Sequence, residues 1–258
     1  MCLCRRFNEI HSRNVLLVGL GAGLLSGIFG VGGGILIVPG LMWVTAMEQR
    51  RAHGTSLAAV LPIAVTGLVS YISYGNVDWF AAGCLIIGAL PGTLLGTKWL
   101  ATVNKRMLTW LFIAVAAASA IRLAVGVDTS PTTARSVALA LSLVAVGFAS
   151  GVLAGLLGIG GGIVMVPALM LLGGVAAVVA KGTSLAVIVP TSILGTWRNR
   201  RNTNVDIRIG LTVGLSGAAT AVAGSAIAAA LPERVATLSF AALMAVVSVR
   251  LAMRQKTS

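Results

Sequence analysis

Two short stretches carry side chains able to hold an anion: His53-Gly54-Thr55-Ser56 and Lys181-Gly182-Thr183-Ser184. Each places a cationic or switchable group just before a glycine and two hydroxyls; the hydroxyls can donate hydrogen bonds to an oxyanion and the cation can neutralise it. The competing use of the same residues is structural, with His53 and Lys181 snorkelling to an interface and the hydroxyls back-bonding to their own helix. Upstream of each stretch lies a glycine cluster: Gly32, Gly33 and Gly34 in "GIFGVGGGILIVPGLM" (27–42), and Gly160, Gly161 and Gly162 in "GLLGIGGGIVMVPALM" (155–170). Inside a helix glycine costs about 1 kcal/mol and proline about 3 kcal/mol relative to alanine, so both runs should break. A second half-helix starting at such a break presents unpaired N–H groups and partial positive charge, which suits an anion. The alternative is that the glycines let helices approach closely, the favoured reading for single ones such as Gly19, Gly23 and Gly147.

The elements that must position these residues lie in lipid. Of 258 residues, 57% are hydrophobic and 10% charged, with a mean hydropathy of +0.99. Soluble domains hold about 25% charged residues, so the composition excludes one. Apolar runs near 20 residues match helical spans of a hydrocarbon layer about 30 Å thick, and the alternating pattern of a transmembrane barrel is absent. The net charge of +13 comes from Lys and Arg at the ends of apolar runs. That placement fits cytoplasmic loops and anionic lipid, and calls for no nucleic acid. Three cysteines, Cys2, Cys4 and Cys84, give no disulfide framework. The basic N-terminus has no convincing cleavage site and reads as a retained segment.

The chain repeats itself at a constant offset of 128 positions. Gly32 to Gly34 fall on Gly160 to Gly162, Pro39 on Pro167, "HGTSLA" at 53–58 on "KGTSLA" at 181–186, Pro62 on Pro190, and Asn76-Val77-Asp78 on Asn204-Val205-Asp206. A gapless register through Gly, Pro, Asn and Asp makes two homologous halves. The organisation read from this is a cytoplasmic tail at 1–14, a first membrane repeat at 15–127, a linker at 128–135, a second repeat at 136–253 and a cytoplasmic tail at 254–258. Each half holds about four apolar runs: 15–47, 52–74, 78–101 and 106–127, then 136–179, 181–198, 207–230 and 234–253. The first run of each half is too long for one crossing, since 33 residues of straight helix would reach about 50 Å.

Basic residues test whether each first run turns back at its glycines. If it does, each half crosses three times, the halves are inverted, and every Lys and Arg except Arg122, Arg135, Lys181 and Arg234 is cytoplasmic. If it crosses fully, Arg50, Arg51, Lys98, Lys105 and Arg106 move outside. The excess of positive charge on cytoplasmic loops favours the inverted arrangement. Inverted repeats whose broken helices meet near the midplane form a transporter architecture.

Other candidates carry less chemistry. All six acids lie at ends of spans or on a tail, which disfavours a cation substrate and a carboxylate proton relay. Asp78 and Asp206 begin matching spans and read as helix N-caps. Cys84 reads as a small apolar filler, and "GLGAGLLSG" lacks the strand-turn-helix context of a dinucleotide loop. Tyr71, Tyr74, Trp79, Trp99 and Trp110 read as interfacial aromatics. "RNRRNTNVDIR" (198–208) reads as a solvated loop. No catalytic group, metal set or cofactor motif can be assembled from two His and three Cys.

The doubled motif G-x-x-x-G-x-x-G-[VI]-G-G-G-x-x-x-V-P followed by [HK]-G-T-S-L resembles the TauE/SafE family, also called the sulfite exporter or TSUP family, over essentially the whole chain. The resemblance implies an all-α, multi-pass inner-membrane protein with duplicated four-segment halves, moving sulfite, sulfoacetate, thiosulfate or a related sulfur anion. It carries a permeation role to the glycines at 32–34 and 160–162 and to Thr55, Ser56, Thr183 and Ser184. His53 where the other half has Lys181 makes the halves unequal. The expectation is a secondary transporter, in the export direction by resemblance, with a cytoplasmic N-terminus. Its expected partners are a small inorganic or organosulfur anion and membrane lipid; it needs no cofactor, and a homo-oligomer is compatible with it. An anion channel and a non-transporting scaffold subunit are the alternatives.

Overall fold

A computed structural model describes residues 2–99, 136–158, 160–201, 203–232, 234, 235, 238, 239 and 242. The expected run at 106–127, the linker at 128–135 and the tail at 254–258 lie outside the described residues, as does most of 234–253. Eight helices are delimited there: α1 (Cys2–Phe29), α2 (Gly34–Val44), α3 (Gln49–Ser73), α4 (Trp79–Trp99), α5 (Val137–Leu157), α6 (Gly162–Leu172), α7 (Ala177–Arg201) and α8 (Ile207–Ala230). No strand occurs among the described residues. Five helices, α3, α4, α5, α7 and α8, are long and apolar enough to cross a membrane, whereas the Arg13–Phe29 part of α1, α2 and α6 are shorter apolar segments. The stretch expected as an N-terminal tail continues α1 back to Cys2.

Both overlong runs break at their glycines. α1 stops at Phe29 and α2 starts at Gly34; α5 stops at Leu157 and α6 starts at Gly162. The residues capping the second segments, Gly33 and Gly161, have φ of 72° and 75°. Left-handed backbone of this kind costs other residues about 1–2 kcal/mol, so glycine makes the reversal cheap. The chain then doubles back: a methyl placed on Gly33 would sit 2.6 Å from the Ala22 carbonyl oxygen, and one on Gly40 2.7 Å from Val18. The second break matches, with Gly161 in the same relation to the Ser150 carbonyl.

The halves interleave. α1 packs most closely on α8, and α5 on α4. Gly23 lies so near α8 that a methyl there would come within 1.9 Å of the Gly217 carbonyl oxygen, and one on Gly147 would come within 2.3 Å of the Leu85 carbonyl oxygen of α4. The close-approach reading of Gly19, Gly23 and Gly147 is therefore the one seen, since without a hydrophobic drive between helices in lipid the contact of bare backbones supplies the attraction. α3 and α7 pack together at the centre and run in opposite directions. Gly54, near the start of α3, abuts the Asn204 carbonyl beyond the end of α7, while Gly182, near the start of α7, abuts the Asn76 carbonyl beyond the end of α3.

Candidate functional site at the crossing of two broken helices

Each polar stretch serves the glycine break of the opposite half. His53 Nδ1 lies 2.5 Å from the Leu157 carbonyl, which can only accept, so this nitrogen carries the proton. One turn on, Ser56 Oγ donates to the Gly158 carbonyl at 2.8 Å. In the other half, Ser184 Oγ donates to the Gly30 carbonyl and, at 2.9 Å, to the Lys181 carbonyl of its own helix. Lys181 packs directly on Gly30, and its ammonium stands 5.9 Å from the centre of the Phe29 ring. Position 53 is 8% exposed and position 181 only 1%. Lys181 does not snorkel to an interface; it is held inside, and no carboxylate or hydrogen-bond acceptor meets its ammonium among the described residues.

Thr55 and Thr183 tie the element starts together. Thr55 Oγ1 accepts from Asp206 N–H and Thr183 Oγ1 from Asp78 N–H, both at 2.9 Å. Thr183 also donates back to the Val179 carbonyl at 2.7 Å. The two aspartates cap their helices as expected: Asp78 Oδ1 accepts from Phe80 and Ala81 N–H, and Asp206 Oδ1 from Ile209 N–H. All four hydroxyls are fully buried and have protein partners in this conformation.

Tyr71 is a correction. Expected at an interface, it is fully buried in α3 and donates to the Gly27 carbonyl at 2.8 Å, joining α3 to α1. Tyr74 and Trp79, at helix ends, are 53% and 61% exposed. Trp110 and the side chain of Trp99 lie outside the described residues.

The two glycine clusters meet. A methyl on Gly162 would lie 2.7 Å from the Gly30 carbonyl and 2.9 Å from Val31 Cα, so the breaks abut. Gly32 faces Val60 and Ile188, and Gly160 faces the same two side chains. Both are fully buried and sit near the middles of α3 and α7, an arrangement that residue types alone did not single out. Among the described residues no acceptor meets the N–H groups of Gly32, Gly33, Gly34 or Ile35, nor those of Gly160, Gly161 or Gly162. Beside the first break lies a hollow of about 20 Å³ lined by Leu25, Val31, Gly33, Ile35 and Leu36. Its walls are apolar.

A doubled sequence thus brings two reversing helix breaks into one buried junction. The family model described as "Sulfite exporter TauE/SafE" matches residues 4–123 and 143–258. The chain belongs to the TauE/SafE family. It is 29% identical over 205 residues to the probable membrane transporter protein YunE of Bacillus subtilis, covering 70% of this chain and 75% of that one. A probable membrane transporter protein of Xylella fastidiosa is 37% identical over 108 residues, which span 40% of this chain and 41% of the relative. A probable membrane transporter protein of Methanocaldococcus jannaschii is 29% identical over 161 residues, 60% of either chain. No solved structure matches. TauE/SafE proteins form a family of membrane transporters and not of enzymes, and the apolar helices here make this member a multi-pass membrane protein.

Proposed function

We propose that the chain is a secondary transporter of a small sulfur-containing oxyanion, working by alternating access between two inverted repeats. The observation that carries this reading is the abutment of the two breaks at the crossing of α3 and α7, where main-chain N–H groups that meet no acceptor among the described residues lie in the same junction as the buried Lys181. An anion is the solute such a junction stabilises: half-helix N-termini carry partial positive charge, and the buried Lys181 meets no counter-charge among the described residues. The opposite directions of α3 and α7, and the exchange of partners between halves, support an inverted repeat.

In this reading Gly32, Gly33, Gly34, Gly160, Gly161 and Gly162 present backbone to the anion, and Lys181 supplies charge on one side. His53 is its weaker counterpart on the other. Ser56 and Ser184 hold the breaks shut in the closed state, while Thr55 and Thr183 anchor the residues that start α8 and α4 beside the site; when one break withdraws, Ser56 or Ser184 loses its carbonyl and turns its O–H to the solute. The packed, apolar centre favours such a carrier over an open channel. In a cell inner membrane with a cytoplasmic N-terminus, a negative interior would drive export by about 2.3 kcal/mol per charge per 100 mV.

The test is flux of sulfite, thiosulfate, sulfoacetate and sulfate into reconstituted liposomes under imposed potential and pH gradients. Saturable, potential-dependent movement of at least one sulfur oxyanion is expected. Movement of none of them, with protein shown folded by its melting profile, would overturn the reading.

A further inference from the structure

We infer that Val60 and Ile188 form the constriction of the permeation path and set the largest anion that passes, an inference that rests on the transporter reading above. The two side chains occupy equivalent positions in the two halves, and each contacts the glycine breaks of both. A methyl on Gly32 would lie 3.1 Å from Val60 Cγ1 and 3.3 Å from Ile188 Cδ1; on Gly160 it would lie 3.3 Å from Ile188 Cγ2 and 3.5 Å from Val60 Cγ1. Gly162 approaches Ile188 Cδ1 to 2.9 Å by the same measure. The faces that Gly32 and Gly160 turn towards α3 and α7 are therefore both closed by these two side chains.

Their chemistry suits a barrier. Both are β-branched, so χ1 is stiff and the Cγ atoms that face Gly32 and Gly160 cannot be swung aside cheaply. Both are fully buried in one apolar cluster, and an oxyanion brought against their methyl groups would lose hydration with no donor to replace it. Two residues further along each helix stands a proline, Pro62 in α3 and Pro190 in α7. Each proline removes the hydrogen bond to the carbonyl four residues earlier, at Ala58 and Ala186, so both helices are weakest beside the side chain that blocks the path. Opening then needs a local adjustment at these prolines, carrying Val60 or Ile188 away from the glycines, without melting the rest of either helix.

The experiment compares wild type, V60A/I188A and the exchange V60I/I188V in liposomes. It reads the leak of iodide by quenching of a trapped dye, and the ratio of sulfoacetate to sulfite flux. The double alanine variant should raise iodide leak by about tenfold or more, equivalent to about 1.4 kcal/mol of barrier, and should shift the flux ratio towards sulfoacetate. The exchange keeps the summed side-chain volume and should remain as tight as wild type. Iodide needs no specific site, so its leak is read even if wild type moves none of the sulfur anions; a leak in that case supports the constriction while the transport reading fails. Folded V60A/I188A with wild-type tightness and a wild-type flux ratio overturns the constriction and leaves transport standing. If V60A/I188A does not fold, the single variants V60A and I188A are read by the same two measures.

Discussion

The Ser56 hydroxyl spans 102 positions of sequence to donate to the Gly158 carbonyl at 2.8 Å, and Ser184 makes the equivalent bond to Gly30. Each serine thus latches the break of the opposite half. Replacing it by alanine leaves a buried carbonyl without its donor, a loss of about 1–3 kcal/mol. S56A and S184A should each lower the melting temperature in detergent, and a double variant should lower it by close to the sum, because the two bonds lie in separate breaks. Melting curves superimposable on wild type would mean that the latches are not closed in solution.

Lys181 should behave in the opposite way from a structural residue. It is buried with no carboxylate partner among the described residues, and burying an unpaired charge is costly. K181M keeps the length and most of the packing while removing that cost, so its melting temperature should equal or exceed that of wild type. Anion flux should nevertheless fall by about tenfold or more, the equivalent of at least 1.4 kcal/mol of lost stabilisation. Unchanged flux in a stable K181M would remove this side chain from the path. Loss of flux and stability together would make it a packing residue.

How much of this was legible in the sequence depends on what kind of signal each feature leaves. The breaks were readable because glycine and proline act on backbone locally, and Gly33 and Gly161 carry the positive φ that the reversal requires. The ends of α3, α4, α7 and α8 fall within a few residues of the apolar runs for the same local reason. The exchange of partners between halves left no such mark. Small residues occur on nearly every helix, so the pairing of Gly23 with Gly217 could not be told from a pairing inside one half. Hydroxyl roles were equally mute, since Thr55 announces an oxygen but not that Asp206 N–H, 151 positions away, donates to it. Val60 and Ile188 looked like any other apolar residues, and only their contact with both breaks distinguishes them.

The small-residue contacts separate into those that matter for packing and those that do not. At Gly23 a methyl would lie 1.9 Å from the Gly217 carbonyl oxygen, and the obstacle is backbone that cannot rotate away. G23A should therefore destabilise by at least the cost of an overpacked core, about 1–3 kcal/mol. Gly83, within α4, has nothing within 4 Å of such a methyl among the described residues. G83A should stabilise by up to about 1 kcal/mol through helix propensity alone. Opposite shifts in melting temperature are the expected result. A fall for both would show that the space beside Gly83 is filled by a packed neighbour in the assembled protein.

The direction of α3 in the membrane can be read by labelling from the two sides. Arg51, at its start, pairs with Asp206 at 3.0 Å beside the end of α7, and with 53% of its side chain exposed the pair adds no more than about 1 kcal/mol, so R51C should fold. Tyr74 lies just beyond the other end and is 53% exposed. In a background with Cys2, Cys4 and Cys84 replaced by alanine, R51C and R201C should react with a membrane-impermeant thiol reagent only from the cytoplasmic face, and Y74C only from outside. Basic residues crowd the first face, Arg50 and Arg51 at the start of α3 and Arg198, Arg200 and Arg201 at the end of α7, which is why it should be cytoplasmic. Reaction of R51C and R201C from opposite faces would remove the antiparallel relation of α3 and α7, and with it the inverted repeat. Reaction of both from outside would keep that relation but reverse the orientation, placing Lys181 and its half of the junction towards the cytoplasm.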